Sequence, residues 1–317
     1  MENQTKLKEK NFLSAVVYVR NQEKQISILL HQLSDNLEDN FQKYEIICVN
    51  DASIDATVEV IKDVVAKREK SSITLLNMSF FQGMEMSMNA GMDLAIGDFV
   101  YEFDNAVMDY PVETIMQIYR RTLEGHDIVS AAAKDKQRAS SSMFYSVFNK
   151  HTNYEYKLKT ESFRILSRRA INRISAMNKT IPYRKAVYAN CGLSCDTIEY
   201  TSTIPGFASQ LSKADKASRR NLAIDALMLF TDVGYKFAIT MTALMMLVTV
   251  LVAAYAVVIF VMGIPIVGWT TTILFMAFAF FGLFGILTIV IKYLSILVGL
   301  VFKKQKFTFE SIEKLSK

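Results

Sequence analysis

Short apolar runs alternate along the first half of the chain with segments whose apolar residues recur every three or four positions. Residues 12–19 (FLSAVVYV) form a continuous apolar run of strand length, and 23–37 then sets Ile26, Leu29, Leu30 and Leu33 on one helical face. Residues 44–49 (YEIICV) predict a second strand, 57–68 a helix, 73–77 a short strand, 85–96 a helix and 98–103 (DFVYEF) a fourth strand. Strands alternating with helices predict an α/β domain with a Rossmann-like, mostly parallel sheet, which binds ligands at the carboxyl ends of its strands.

From Phe237 to Ile291 there is no Asp, Glu, Lys or Arg, a pattern no soluble core element requires. Two glycines and a proline at 263–268 divide the stretch into 237–262 and 269–291, each long enough to cross a hydrocarbon layer of about 30 Å. Lys213, Lys216, Arg219, Arg220 and Lys236 precede the first span, and Lys292, Lys303, Lys304 and Lys306 follow the second. The positive-inside rule then places both flanks in the cytoplasm and predicts a multi-pass protein of the inner or plasma membrane. Four regions result: a domain over 1–210, a basic juxtamembrane segment over 211–236, a hairpin over 237–291, and a juxtamembrane helix with a cytoplasmic tail over 292–317. Within the second region, 221–235 has helical apolar spacing that suits either the lipid interface or the face of the soluble domain. Residues 134–156 are polar and serine-rich and read as a connecting or acceptor loop.

A net charge of +5, from 36 basic and 31 acidic residues, is too mild for a nucleic-acid binder, and no basic-aromatic motif stands out. Cys48, Cys191 and Cys195 form no C-x-x-C pair and read as ordinary residues of a reducing compartment. The polar first residues carry no apolar core of a cleavable signal.

The first strand is followed by neither G-x-G-x-x-G nor a P-loop pattern. The predicted strand ends are acidic instead, with Asp51 and Asp55 after the second and Asp104 and Asp109 after the fourth. Carboxylates so placed accept hydrogen bonds from a base or ribose, or hold a hard divalent cation. Asp51, Ser53 and Asp55 equally suit helix capping near Ala56, which leaves Asp104 unexplained.

The segments SAVVYVRNQE (14–23), YEIICVNDASID (44–55), GMDLAIGDFVYEFDNA (91–106), MDYPVE (108–113) and SFRILSRR (162–169) resemble the family 2 glycosyltransferases. The closest subgroup moves sugars onto polyprenyl phosphates, as dolichyl-phosphate mannose synthase and the bacterial undecaprenyl-phosphate glucosyltransferases do. The resemblance implies a GT-A fold, a nucleotide-sugar donor and an Asp-x-Asp motif through which Mg²⁺ or Mn²⁺ bridges the diphosphate. Asp51 matches the base-contacting aspartate, with Val49, Arg20 and Gln22 in the same donor region. Asp104 matches the first metal aspartate, with Asn105 and Asp109 as further possible ligands, and Arg164 and Arg168 match basic groups facing phosphate. Several positions depart from the family pattern: the second metal aspartate is Ala106, the following Gln is Met108, and the first loop has Tyr18, Arg20 and Gln22 for Pro, an aromatic and Glu.

The implied activity is an inverting transfer from nucleotide sugar to polyprenyl phosphate at the cytoplasmic face. A lipid phosphate is already ionised, so it needs little general-base help, and Glu161 is the nearby candidate base for a hydroxyl acceptor. Two alternatives stay open: a transferase acting on another cell-surface glycan or glycolipid, and an inactive relative serving as a binding or scaffold subunit. The implied partners are the membrane, the nucleotide sugar and the lipid phosphate. A homo-oligomer is compatible with a hairpin anchor, though the sequence does not count subunits.

Overall fold

A computed structural model of the chain describes residues 7–68, 72–134, 139–152, 156–177, 183–203, 213–262, 268–302 and 307–315. The chain forms two compact units, Met1–Leu222 with Gln305–Lys317, and Ala223–Lys304.

The first unit is built on β1 (Glu9–Val19), β2 (Phe41–Asn50), β3 (Ile73–Met78), β4 (Phe99–Phe103), β5 (Ile128–Ala133), β6 (Phe163–Ser167), β7 (Cys195–Tyr200) and β8 (Phe309–Lys314). Helices α1 (Ile26–Asn40), α2 (Thr57–Ala66), α3 (Met84–Leu94), α4 (Glu113–Leu123), α5 (Ala139–Lys150), α6 (Arg168–Met177) and α7 (Arg184–Ala189) intervene, and α8 (Lys213–Phe230) leads out of the unit. The strands make one sheet in the order β7-β5-β6-β4-β1-β2-β3-β8, in which β6 and β8 pair antiparallel to their neighbours and the other pairings are parallel.

Strand β1 is central and covered on both faces, which accounts for its unbroken apolar run. Leu13, Ala15, Val17 and Val19 share one buried cluster with Leu29, Leu33, Ile61 and Ile118 of α1, α2 and α4. On the opposite face α3 packs so closely that a Cβ at Gly91 would lie 2.4 Å from Val16 Cγ1 and 2.7 Å from Val49 Cγ2. Only glycine permits that approach. Register places Glu102 of β4 beside Val16 of β1 and Arg164 of β6, so the sheet carries a buried charged pair on the α3 face.

The tail that follows the expected juxtamembrane helix supplies β8. Its residues FESIEK carry only two apolar side chains, and the strand forms because the edge of β3 offers unpaired backbone groups. The serine-rich connection contains helix α5, whose Phe148 is wholly buried; 135–138 and 153–155 of that connection lie outside the described residues.

In the second unit α9 (Val233–Val261) and α10 (Trp269–Phe302) pack together, with Gly282 so close to Met245 that a Cβ would lie 2.7 Å from its Cε. Within α9, Val233–Val252 is long and apolar enough to cross a bilayer, with a hydropathy of 1.8 and none of that window buried. The comparable apolar stretch described in α10, Phe278–Leu294, is shorter. Helix α10 runs unbroken through 292–302, so no separate juxtamembrane helix starts at Tyr293. Its Lys292 pairs with Asp225 of α8 at 2.5 Å.

Candidate active site

The carboxyl ends of β1 to β4 share one edge of the sheet, where β6 begins because it runs antiparallel. Asp104, one residue past β4, therefore meets Arg164, one residue inside β6. Asp104 Oδ2 accepts from Arg164 Nη2 at 2.8 Å, and Oδ1 accepts from Arg184 Nη2 at 2.8 Å. Arg164 also donates to Glu102 at 2.6 Å and Glu161 at 3.0 Å, while Arg184 donates to Glu85 at 2.9 Å and lies 2.9 Å from Glu102. Tyr188 donates to the other oxygen of Glu102 at 2.7 Å, and Lys185 stands 3.7 Å from Glu161.

Both guanidinium side chains are only 1% exposed, so these charges interact with little screening by water. Burial works to raise the Asp104 carboxyl, but Arg164, Arg184 and Lys185 outweigh it and hold the group below the usual carboxylate range. Glu161 is lowered likewise, with Lys185 and Arg164 overcoming its burial.

The donor region is equally tied together. Asp51 is wholly buried; it accepts from Gln82 N at 2.8 Å, Gly83 N at 2.9 Å and Tyr18 Oη at 3.0 Å, which fastens the end of β2 to the start of α3. Arg20 donates to the Asp51 and Ala52 carbonyls at 2.5 and 3.1 Å and lies 3.9 Å over the Phe81 ring. Gln22 opens the turn into α1, its N–H on Thr57 Oγ1 at 2.8 Å and its side-chain carbonyl buried with no protein partner. Val49 is fully buried, its side chain under α3 rather than in the loop. Asp55 stands one residue before Ala56, the N-cap position of α2, and its Oδ1 accepts from Thr57 N at the start of that helix at 3.1 Å.

The expected cation ligands do not converge. Asn105 Oδ1 accepts from Val107 N at 2.8 Å, and Asp109 Oδ1 accepts from Tyr200 Oη at 2.9 Å. Ala106, at the second aspartate's position, is 1% exposed in the apolar cluster with Phe103 and Tyr110. Among the described residues no group of three His, Cys, Asp or Glu side chains is arranged to hold a metal ion. With both Asp104 oxygens on guanidinium groups, this donor set does not fit Mg²⁺ or Mn²⁺, which need several free oxygen ligands.

Arg168 is not brought to the site. It follows the far end of β6, roughly 13 Å from Arg164 at strand spacing, and donates to the carbonyls of Ala95 and Gly97. The side chains that complete the cluster, Glu85, Glu102, Arg184, Lys185 and Tyr188, carry no motif of their own. The one signal in the sequence was Glu102 inside an otherwise apolar strand, since a buried carboxylate demands a cation.

Residues 14–179, just over half the chain, match the family model described as "Glycosyl transferase family 2". The chain is a member of glycosyl transferase family 2. It is 29% identical over 250 residues to an uncharacterized glycosyltransferase of Synechocystis sp., covering 77% of this chain and 76% of that protein. It is 27% identical over 227 residues to the bactoprenol glucosyl transferase of Shigella phage SfX, covering 69% and 72%. Glucosyl-3-phosphoglycerate synthase from Mycobacterium tuberculosis, solved with Mn²⁺, UDP and phosphoglyceric acid, superposes with a TM-score of 0.50 at 10% identity, covering 69% of this chain and 76% of that one. The GT-A fold expected of this family 2 chain is thereby shown.

Proposed function

We propose that this family 2 protein transfers a sugar from a nucleotide sugar to the phosphate of a membrane polyprenol at the cytoplasmic face, with inversion at the anomeric carbon. Helix α9 is the observation that carries the reading, because it places an apolar, unburied helix on the same chain as a transferase domain. The similarity to a bactoprenol glucosyl transferase over 227 residues supports that acceptor class. In this reading α9 and α10 form a transmembrane hairpin, with the basic flanks cytoplasmic.

The nucleoside lies over the ends of β1 and β2, on the floor that Asp51 fastens and beside Arg20 and Gln22. An oxygen of the acceptor phosphate attacks the anomeric carbon as that carbon's bond to the diphosphate oxygen breaks. The nucleoside diphosphate departs with the bonding electrons. A phosphate monoester with its second pKa near about 6 is largely ionised at neutral pH, so no side chain has to remove a proton. That matches Glu161, which is held by Arg164 and Lys185 and is not a free base. Arg164, Arg184 and Lys185 are engaged by Asp104, Glu85, Glu102 and Glu161, and this ion-paired cluster fixes the floor beneath the place where the phosphates meet.

The test is incubation of detergent-purified full-length protein with undecaprenyl phosphate and a series of UDP- and GDP-sugars, following nucleoside diphosphate release and the glycolipid by mass spectrometry. Turnover that needs the lipid phosphate and is lost in Arg164→Ala is expected. Turnover only with hydroxyl acceptors would move the reading to another glycan or glycolipid. Ala106, buried among apolar side chains, favours a second reading as a non-catalytic binding subunit, for which nucleotide sugar would bind without transfer.

A further inference from the structure

The side chains at the expected cation position form a closed set of ion pairs. Arg164 cannot leave Asp104 without also disturbing Glu102 and Glu161, and Arg184 is held in the same way by Glu85 and Glu102. A magnesium-sized ion would have to approach an Asp104 oxygen to about 2.0–2.1 Å. A guanidinium nitrogen already stands 2.8 Å from each of those oxygens. The like charges would repel across a pocket that excludes most water. Among the described residues the neighbours offer little compensation, since Ala106 has no oxygen, Asn105 Oδ1 is turned onto Val107, and Asp109 Oδ1 accepts from Tyr200. The two guanidinium groups already balance the charge of Asp104 and share it with Glu102, Glu161 and Glu85.

We propose that Asp104 is a positioning anion that fixes Arg164 and Arg184, not a metal ligand, and that nucleotide-sugar binding is independent of divalent cations. The proposal rests on the transferase reading for the identity of the ligand, and on the ion-pair geometry alone for the role of Asp104.

Two measurements on the full-length protein in detergent separate these parts. Mn²⁺ alone is titrated and its free-ion paramagnetic resonance signal followed; UDP-glucose and GDP-mannose are titrated calorimetrically in EDTA and in Mn²⁺. The expected result is no uptake of Mn²⁺ that depends on Asp104, with a nucleotide-sugar Kd the same within about twofold in the two conditions. Asp104→Asn should weaken that binding about tenfold in both conditions, and Asp104→Glu, which keeps the anion, should retain it. Mn²⁺ uptake lost in Asp104→Asn, or binding tightened about tenfold by Mn²⁺, overturns the proposal. If Mn²⁺ is not taken up and neither nucleotide sugar binds, cation-independent donor binding falls together with the transferase reading. The positioning role is then judged by whether Asp104→Asn lowers thermal stability and Asp104→Glu restores it.

Discussion

Gln82 and Thr308, 226 positions apart, hold each other through both polar ends of one amide: Gln82 Oε1 accepts from Thr308 N at 3.0 Å, and Gln82 Nε2 donates to the Thr308 carbonyl. The backbone N–H of the same Gln82 donates to Asp51. The segment after α10 is thus joined to the donor loop through one residue. Strand β8 then continues along β3, with Asn77 donating to Ser311 and Glu313 and Lys62 paired with Glu313 at 2.8 Å.

A chain ending at Lys304 should therefore lose thermal stability and aggregate, because β3 becomes an open edge. Size-exclusion profiles and scanning fluorimetry of the truncated and full chains check this. Gln82→Ala should cost about 0.5–1.5 kcal/mol and leave the sheet intact. A truncated chain as stable and monodisperse as the parent would show that β8 adds nothing to the sheet.

Arg184 should be among the costliest single residues to remove. Arg184→Ala leaves Glu85 and Asp104 without a cation that is 1% exposed, an arrangement expected to cost about 3–5 kcal/mol. Arg184→Lys keeps the charge but not the fork that reaches Glu85 and Asp104 together, so it should recover only part of the loss. Denaturant unfolding of the three proteins measures the difference, and equal stabilities would contradict the buried network.

The same carboxylates set the acid limit of stability. Asp104 and Glu161 are held below their ordinary range in the folded chain, burial being outweighed by Arg164 and Lys185, with Arg184 acting on Asp104 as well. A group lowered on folding contributes stability above its unfolded pKa and loses it as pH falls towards the folded value. Stability should hold from neutral pH down to about 5 and then drop through the ordinary carboxylate range near about 4. Asp104→Asn should be less stable than the parent at neutral pH, with the gap narrowing as the parent's carboxylate is protonated.

Ala52 has a left-handed backbone, φ 51°, a conformation that glycine adopts without cost. The strain for a residue with a Cβ is about 1–2 kcal/mol, partly offset in glycine by the looser unfolded chain. Ala52→Gly should therefore stabilise the protein by about 0.5–1 kcal/mol, read as a rise in thermal midpoint. No rise would mean that the turn tolerates Ala52 without strain.

The parallel half of the sheet was legible because β1, β2 and β4 are buried on both faces and read as apolar runs ending in polar residues. The position of Asp104 followed from the end of DFVYEF. Its partner Arg184 did not, because it is 80 positions away in a short helix, RKAVYA, without amphipathic spacing. Strand β8 was hidden for a different reason: FESIEK has the composition of a solvated tail, and its strand character comes from the edge it joins. Motif proximity put Arg164 and Arg168 together, but four residues along an antiparallel strand carried Arg168 to the other end of the sheet.

That separation gives Arg168 its own test. Its Nε donates to the Gly97 carbonyl at 2.9 Å and its Nη2 to the Ala95 carbonyl at 2.9 Å, while its backbone N–H donates to the Asp98 carbonyl at 2.8 Å. These bonds close the turn between α3 and β4. A Cβ at Gly97 would lie 2.5 Å from Ser14 N, so the turn is pressed against β1. Arg168→Ala removes the side-chain donors from two carbonyls in that turn and should cost about 1–3 kcal/mol of stability. It should leave donor binding and transfer per folded molecule unchanged, whereas Arg164→Ala should abolish transfer. A kcat collapse in Arg168→Ala at unchanged stability would place the phosphate site at the opposite end of the sheet and overturn the site described around Asp104.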